Sequence, residues 1–207
     1  MVKVAITGNI GSGKSTIANL FGKLFNVPIF FSDLCARQCE NIPEVKQKFK
    51  EILGDDIYVD DVVDRNKLRE IVFLDKVKLQ AITKVISPEL NKMFELFIEK
   101  NSDSPYVIFE SAIIFETGNA SNFDYIITVS ANIDIRIKRA MERDGSTMEE
   151  VINKINNQYS DSYKIENSTF VIYNNGINIS DSVEYLSERI NFIHKLILEK
   201  TNGQTNH

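Results

Sequence analysis

The sequence predicts an α/β fold, a parallel sheet with helices on both of its faces. Three observations predict it. Short apolar runs alternate with helical patterns along nearly all of the 207 residues, a length suited to one substantial domain. The first run, Val4-Ala5-Ile6, leads at once into Gly8-Asn9-Ile10-Gly11-Ser12-Gly13-Lys14-Ser15, which has the spacing G-x-x-x-x-G-K-[ST]. Two later runs end at carboxylates, Asp33 and Glu110, and ligands of open parallel sheets sit beyond the carboxyl ends of the strands.

The glycine-rich stretch has a mechanical reading. Its glycines let the backbone curl so that successive N–H groups converge on a phosphate, and the next helix adds its positive N-terminus. Lys14 is placed to reach β- and γ-phosphates, and the Ser15 hydroxyl to take a position on Mg²⁺. The nucleotide cradle is therefore expected from Gly8, Asn9, Ile10, Gly11, Ser12, Gly13, Lys14, Ser15 and Thr16. Ile17, Leu20, Phe21 and Leu24 follow at helical spacing, the context that separates such a cradle from a plain Gly/Ser turn.

Composition sets limits. Hydrophobic residues make up 43% and charged residues 26%, as in ordinary soluble globular proteins. The net charge of −5 supplies no global basic field for nucleic acid or a membrane surface, so an anionic substrate needs a local basic pocket. No apolar run approaches the roughly 20 residues of a membrane span. The chain starts directly in a strand, without room for a signal peptide. Cys35 and Cys39, four apart, fit neither the C-x₂-C metal spacing nor a disulfide framework. Two reduced thiols in a cytoplasmic protein are expected, with redox or metal chemistry as the alternative.

The remaining elements follow in order. A helix is expected from Lys14 to Phe25, a strand over Val27 to Phe31, and Ser32-Asp33 at its end. Asp33 is placed to accept a hydroxyl proton or to bind metal through water; the plainer alternative is a helix cap. One helix is expected from Leu34 to Leu53, then an irregular acidic stretch from Ile57 to Asp64. Asp64 caps a helix that carries Arg65 and Arg69 on one face, either a basic patch or a solvated pair. A helical pattern from Leu74 to Ile86 is expected to break at Ser87-Pro88 and resume from Glu89 to Lys100. Tyr106 to Phe109 is a strand ending at Glu110, the position of a second ligand to a Mg²⁺ ion or its water. Asp124 to Val129 is a strand, and the helix after it bears Arg136, Arg139 and Arg143 on a shared face. Asp144-Gly145 breaks that helix, and Ser146 or Thr147 starts another. An arginine-bearing helical hairpin has the form of a phosphoryl-covering lid; the alternative is a surface helix. Thr169 to Tyr173 is the last strand, Asn174-Asn175-Gly176 a turn, and Ser180 or Asp181 the cap of a final helix to Lys200. Thr201 to His207 is polar and expected to fray.

These residues resemble the dephospho-CoA kinase family. The resemblance is carried by Thr7 to Ala18, Ser32-Asp33 through Ala36-Arg37-Gln38, Asp64-Arg65 with Leu68-Arg69 and Phe73, and Ser104-Pro105-Tyr106. It continues through Ile113 to Glu116, Arg139 with Arg143-Asp144-Gly145, Gln158, and Ile172 with Asn174-Asn175-Gly176. It implies a P-loop kinase fold and ATP-dependent phosphorylation of the ribose 3′-hydroxyl of dephospho-CoA, the last step of coenzyme A synthesis. It also implies a nucleotide-binding core (about 1–33, 101–134 and 165–200), a substrate-binding insertion (about 34–100) and a lid (about 135–164). By position, Asp33 matches the catalytic base, Lys14 the loop lysine, Arg139 the lid arginine near ATP, and Arg65 and Arg69 basic residues on the substrate side. Glu110 matches an acidic strand terminus, and Asn175 is assigned to the adenine. Mg²⁺, ATP and dephospho-CoA are the implied cofactor and substrates.

The chain departs from the family pattern at several points. Phe31 stands for the first acidic residue of D-x-D, Ser87 for a histidine and Ala112 for a proline. Ser168-Thr169 stand for an Ala-Asp pair and Asn9 for a glycine. None removes a group needed for phosphoryl transfer, but several fall on the acceptor side. A nucleoside or deoxynucleoside monophosphate kinase is the alternative on the same frame, and a slow nucleotide-hydrolysing switch the alternative of another class.

Overall fold

A computed structural model of the chain describes residues 1–176 and 179–204, with the side chains at 73, 74, 76, 179–183 and 201–204 outside the description. The residues gather into two units, 1–30 with 101 onward, and 31–100.

The first unit is built on a five-stranded sheet in the order β2-β5-β1-β6-β7. Its strands are β1 (Val2–Thr7), β2 (Ile29–Phe31), β5 (Tyr106–Glu110), β6 (Tyr125–Ser130) and β7 (Phe170–Tyr173). β1 pairs in parallel with β5 and β6, and β6 with β7. The central strand is buried on both faces, which is why Val4-Ala5-Ile6 reads as a continuous apolar run rather than an alternation. Helix α1 (Lys14–Phe25) sets Ile17, Ala18 and Phe21 into this core, and α9 (Ile179–Gln204) adds Ile190, Ile193 and Ile197. Each such large side chain contributes about 1.5–3 kcal/mol on burial. The expected caps Ser180 and Asp181 have side chains outside the described residues. The helix runs past Lys200 to Gln204, and 205–207 lie outside the description.

Helices α6 (Ile133–Asp144), α7 (Met148–Asn156) and α8 (Asp161–Glu166) fill the chain between β6 and β7. Gly145 ends α6 at φ 64°, and Thr147 starts α7 with a capping box in which Glu150 returns a bond to the Thr147 N–H. The six residues of α8, capped by Ser160, are too short to carry a visible period and were not expected from the sequence.

The second unit departs from expectation in three places. The single helix expected from Leu34 to Leu53 is two, α2 (Ser32–Cys39) and α3 (Pro43–Leu53). Pro43 sits in the first turn of α3 and forces Ile42 into extended backbone (φ −69°, ψ 128°), so the helix restarts there. The break expected at Ser87-Pro88 does not occur: α5 runs unbroken from Lys76 to Lys100. Ser87 Oγ donates to the Thr83 carbonyl at 2.7 Å, and packing against α2, α3 and α4 offsets the roughly 3 kcal/mol that an interior proline costs. The stretch read as irregular is a hairpin, β3 (Tyr58–Val59) with β4 (Val62–Val63), turned by Asp60 and Asp61 at φ 48° and 70°. Between them, α4 (Arg65–Leu74) starts where expected, with the Asp64 carboxylate accepting from the Asn66 and Lys67 N–H groups. Val45, Phe49, Leu53, Ile57, Val63 and Ile82 form this unit's own core. Cys39 is buried against Met93 Sδ at 3.5 Å, and both cysteines are free thiols that burial pushes up in pKa.

Candidate active site

Strand β1 delivers the chain at Thr7 into the glycine-rich loop, and α1 leaves it at Lys14. Gly11 is at φ 76°, and a Cβ there would stand 2.1 Å from the Arg136 carbonyl oxygen, so neither conformation nor space admits a side chain. The N-cap of α1, Gly13, supplies no side-chain cap, and the first turn holds no acidic residue. The first amides of α1 therefore have no capping side chain, the condition for holding an anion.

Parallel register places Ile6 of β1 beside Glu110 of β5. The loop's cation and the strand's carboxylate thereby come together. Glu110 is 3% exposed; its Oε1 accepts from Ser15 Oγ at 3.1 Å and lies 3.8 Å from Lys14 Nζ. Lysine, hydroxyl and carboxylate thus cluster at the mouth of α1. Among the described residues Thr7 Oγ1 and Ser12 Oγ, buried here, find no hydrogen-bond partner.

Arg139 reaches the loop through an intermediary. Its Nη1 donates to the Asn174 carbonyl at 2.9 Å, and Asn174 Nδ2 donates to the Ser12 carbonyl at 2.9 Å. Asn175 Oδ1 accepts from the Asn132 N–H at 2.7 Å, at the entry to α6. The shared basic face expected of Arg136, Arg139 and Arg143 does not form. Arg136 is 1% exposed and paired with Asp161, whereas Arg143 pairs with the adjacent Asp144 on the surface. Burial lowers the Arg136 pKa, and Asp161 opposes the shift.

Sequence reasoning missed a second cationic anchor. Lys164 of α8 is fully buried, with Nζ donating to the Ala112 carbonyl at 2.7 Å and to Glu116 Oε1 at 2.8 Å. Burial lowers its pKa, and the Glu116 hydrogen bond and charge pull it back up. Glu116 also accepts from the Tyr159 N–H, tying this segment to the chain after α7. Nothing in a six-residue helix marks one lysine as buried. Gln158 carried a signal only through the family resemblance.

In the second unit, Asp33 lies in the first turn of α2, directly after β2. It is exposed and does not cap the helix, whose N-cap is Phe31. The capping alternative thus finds no bond. Arg65 donates to buried Glu40 through both terminal nitrogens, Nη1 to Oε1 at 2.9 Å. Tyr58 OH donates to the Glu40 carbonyl, and burial followed by the Glu40 charge raises its pKa to about 12. Arg69 is exposed, so the two arginines differ: one is held in an ion pair and the other faces solvent.

The dephospho-CoA kinase family model matches residues 2–180. The chain belongs to the dephospho-CoA kinase family. It is a kinase of the last step of coenzyme A synthesis, and the nucleoside monophosphate kinase alternative is not favoured. A dephospho-CoA kinase of Bacteroides fragilis is 28% identical over 93% of this chain and 96% of its own. One from a gamma-proteobacterium is 32% identical over 96% of this chain and 98% of its own. A crystal structure of a Thermus thermophilus protein superposes with a TM-score of 0.80 at 28% identity, covering 96% of this chain and 97% of that one. The fold is thus that of the P-loop kinases, as the dephospho-CoA kinase resemblance implied. Among the described residues no helix is long and apolar enough to cross a membrane.

Proposed function

We propose that the loop 8–16 holds the phosphates of ATP, and that Asp33 is the base that receives the proton of the dephospho-CoA 3′-hydroxyl. The observation that carries the donor half is the cluster of Lys14, Ser15 and Glu110 at the uncapped start of α1. Lys14 neutralises the β- and γ-phosphates, and Arg139, anchored on the Asn174 carbonyl, covers the same region as the lid residues 135–164 close. Asn175 borders the adenine. Arg69, and Arg65 with its Glu40 partner, belong to the acceptor side formed by residues 34–100.

Ser15 and Glu110 fit Mg²⁺. They are an all-oxygen pair already 3.1 Å apart, and among the described residues no cluster of three His, Cys, Asp or Glu could hold a metal without further ligands. A hard cation that takes one carboxylate, a hydroxyl and the phosphates themselves matches that donor set. When bound, the ion would supply positive charge that neutralises the phosphates of the donor. Asp33 then orients the acceptor hydroxyl for in-line attack and takes its proton, while Lys14 and Arg139 stabilise charge on the transferred group. A soluble cytoplasmic location suits this chemistry, with two small-molecule substrates and neither nucleic acid nor membrane as partner.

The test is a phosphate-transfer screen with ATP against dephospho-CoA and the deoxynucleoside monophosphates. Transfer to dephospho-CoA is expected, and preference for any deoxynucleotide overturns the acceptor assignment. Lys14→Ala should abolish transfer in a protein that still folds, because buried Glu110 keeps the hydrogen bond from Ser15 Oγ when the lysine is removed.

A further inference from the structure

The loop is gripped by four residues that the mechanism above does not use, Arg136, Gln158, Tyr159 and Asp161. Asp161, at the start of α8, divides its carboxylate between two partners. Oδ1 accepts from Asn9 Nδ2 at 3.2 Å, and Oδ2 pairs with Arg136 Nη1. Asn9 Nδ2 also donates to the Tyr159 carbonyl at 3.1 Å. Arg136 also reaches the loop: its Nε donates to the Ile10 carbonyl at 3.1 Å. On the other side of the same residue, the Ile10 N–H donates to Gln158 Oε1 at 2.9 Å. Asn9 is 2% exposed and Arg136 1%, so the bonds these two side chains make are partly shielded from water, which strengthens them.

A trans peptide is planar, and its C=O and N–H point in opposite directions. Holding the Ile10 carbonyl on Arg136 therefore aims the Gly11 N–H the opposite way. Resting on the reading of residues 8–16 as the donor cradle, we propose that Arg136, locked by Asp161 and Asn9, is a positioning residue that presets the Gly11 N–H for the donor phosphates. Gln158 completes the hold from the amide side. Asn9, where the family resemblance expects a glycine, thereby acquires a role: its side chain ties the loop to the segment 158–161. Because the grip acts on the loop, it governs phosphate affinity and leaves the acceptor alone.

The experiment compares Arg136→Lys, Asn9→Gly and Lys14→Ala in the full chain. It measures equilibrium affinity for ADP and ATP by calorimetry, KM for both substrates, and melting temperature. Lysine keeps the charge beside Asp161 but lacks the fork that serves Asp161 and Ile10 together. Arg136→Lys should weaken ADP and ATP about tenfold with KM for dephospho-CoA unchanged, the effect of one lost charge-assisted hydrogen bond. Asn9→Gly should shift nucleotide affinity the same way by about threefold, and it serves as the test if Arg136→Lys does not fold. Nucleotide affinity within twofold of the parent in whichever of these variants folds overturns the proposal, as does equal loss on both substrates or a fall in melting temperature alone. Lys14→Ala separates the two levels. If it leaves ADP affinity intact, the donor cradle itself is misassigned; if it weakens ADP while Arg136→Lys does not, only the positioning role fails.

Discussion

Replacing Gly13 by alanine tests the packing of the loop at one point. Gly13 is at φ 89°, and a Cβ built there stands 2.2 Å from Asn174 Nδ2. The left-handed backbone alone costs an L-residue about 1–2 kcal/mol. Asn174 cannot retreat as a unit: its N–H donates to the Ser130 carbonyl at 2.8 Å, and its own carbonyl is held by Arg139 at 2.9 Å. Only the side chain can give way, which breaks the 2.9 Å bond to the Ser12 carbonyl in a residue that is 8% exposed. A buried acceptor left unpaired costs about 1–3 kcal/mol, so the total is about 2–5 kcal/mol. For a chain of this length that corresponds to a fall in melting temperature of roughly 4–20 °C. Scanning calorimetry of Gly13→Ala, Asn174→Ala and the double variant reads it directly. Since the alanine already breaks the Asn174 bond, adding Asn174→Ala should cost nothing further and recover part of the loss. A Gly13→Ala protein melting within 1 °C of the parent, or two losses that simply add, would refute the reasoning.

Asp33→Asn should lower kcat by about 10²–10⁴-fold with little change in KM for ATP, since it removes the base and leaves the loop intact; an unchanged kcat excludes base catalysis by Asp33. Arg65→Ala should destabilise the protein by about 2 kcal/mol, because it strands buried Glu40, whereas Arg69→Ala should spare stability and raise only KM for the acceptor. Urea titrations and initial rates distinguish them, and equal stability of the two variants would count against the ion pair. His194 stacks on Phe25 at 3.8 Å and bonds the Tyr106 hydroxyl through Nδ1 at 2.8 Å, and burial lowers its pKa. The folded state therefore releases the proton more readily than the unfolded chain. Stability from this site is fully present above about pH 6.5, the unfolded value, and is lost as pH falls through the lower folded value. Melting curves from pH 7.5 to 5 should show that decline, and His194→Gln should flatten it.

Most of the sheet was legible because local rules and tertiary packing agree there. Val4-Ala5-Ile6 and Tyr106 to Phe109 are buried on both faces, so their apolar runs cannot be read otherwise. The loop was legible as a tight turn between β1 and α1, since Gly8, Gly11 and Gly13 all take the positive φ that glycine favours. Misreadings fell where proline or packing decided between two local options. Pro43 restarts a helix and Pro88 does not interrupt one, and only the neighbours of α5 settle the difference. Arg136, Arg139 and Arg143 share a period but not a fate, because periodicity reports a face and says nothing of which carboxylate or carbonyl lies opposite.

The sequence by itself determined the glycine-rich turn between β1 and α1, the succession of the five strands of the main sheet, and the family. Each depends on residue type at fixed spacing, and spacing is preserved when a chain folds. Tertiary structure alone decided who partners whom. It set Glu110 beside Lys14 through strand register, sank Lys164 onto the Ala112 carbonyl and the Glu116 carboxylate, and buried Arg136 against the Ile10 carbonyl. Those contacts join residues up to 126 positions apart, where no local pattern reaches.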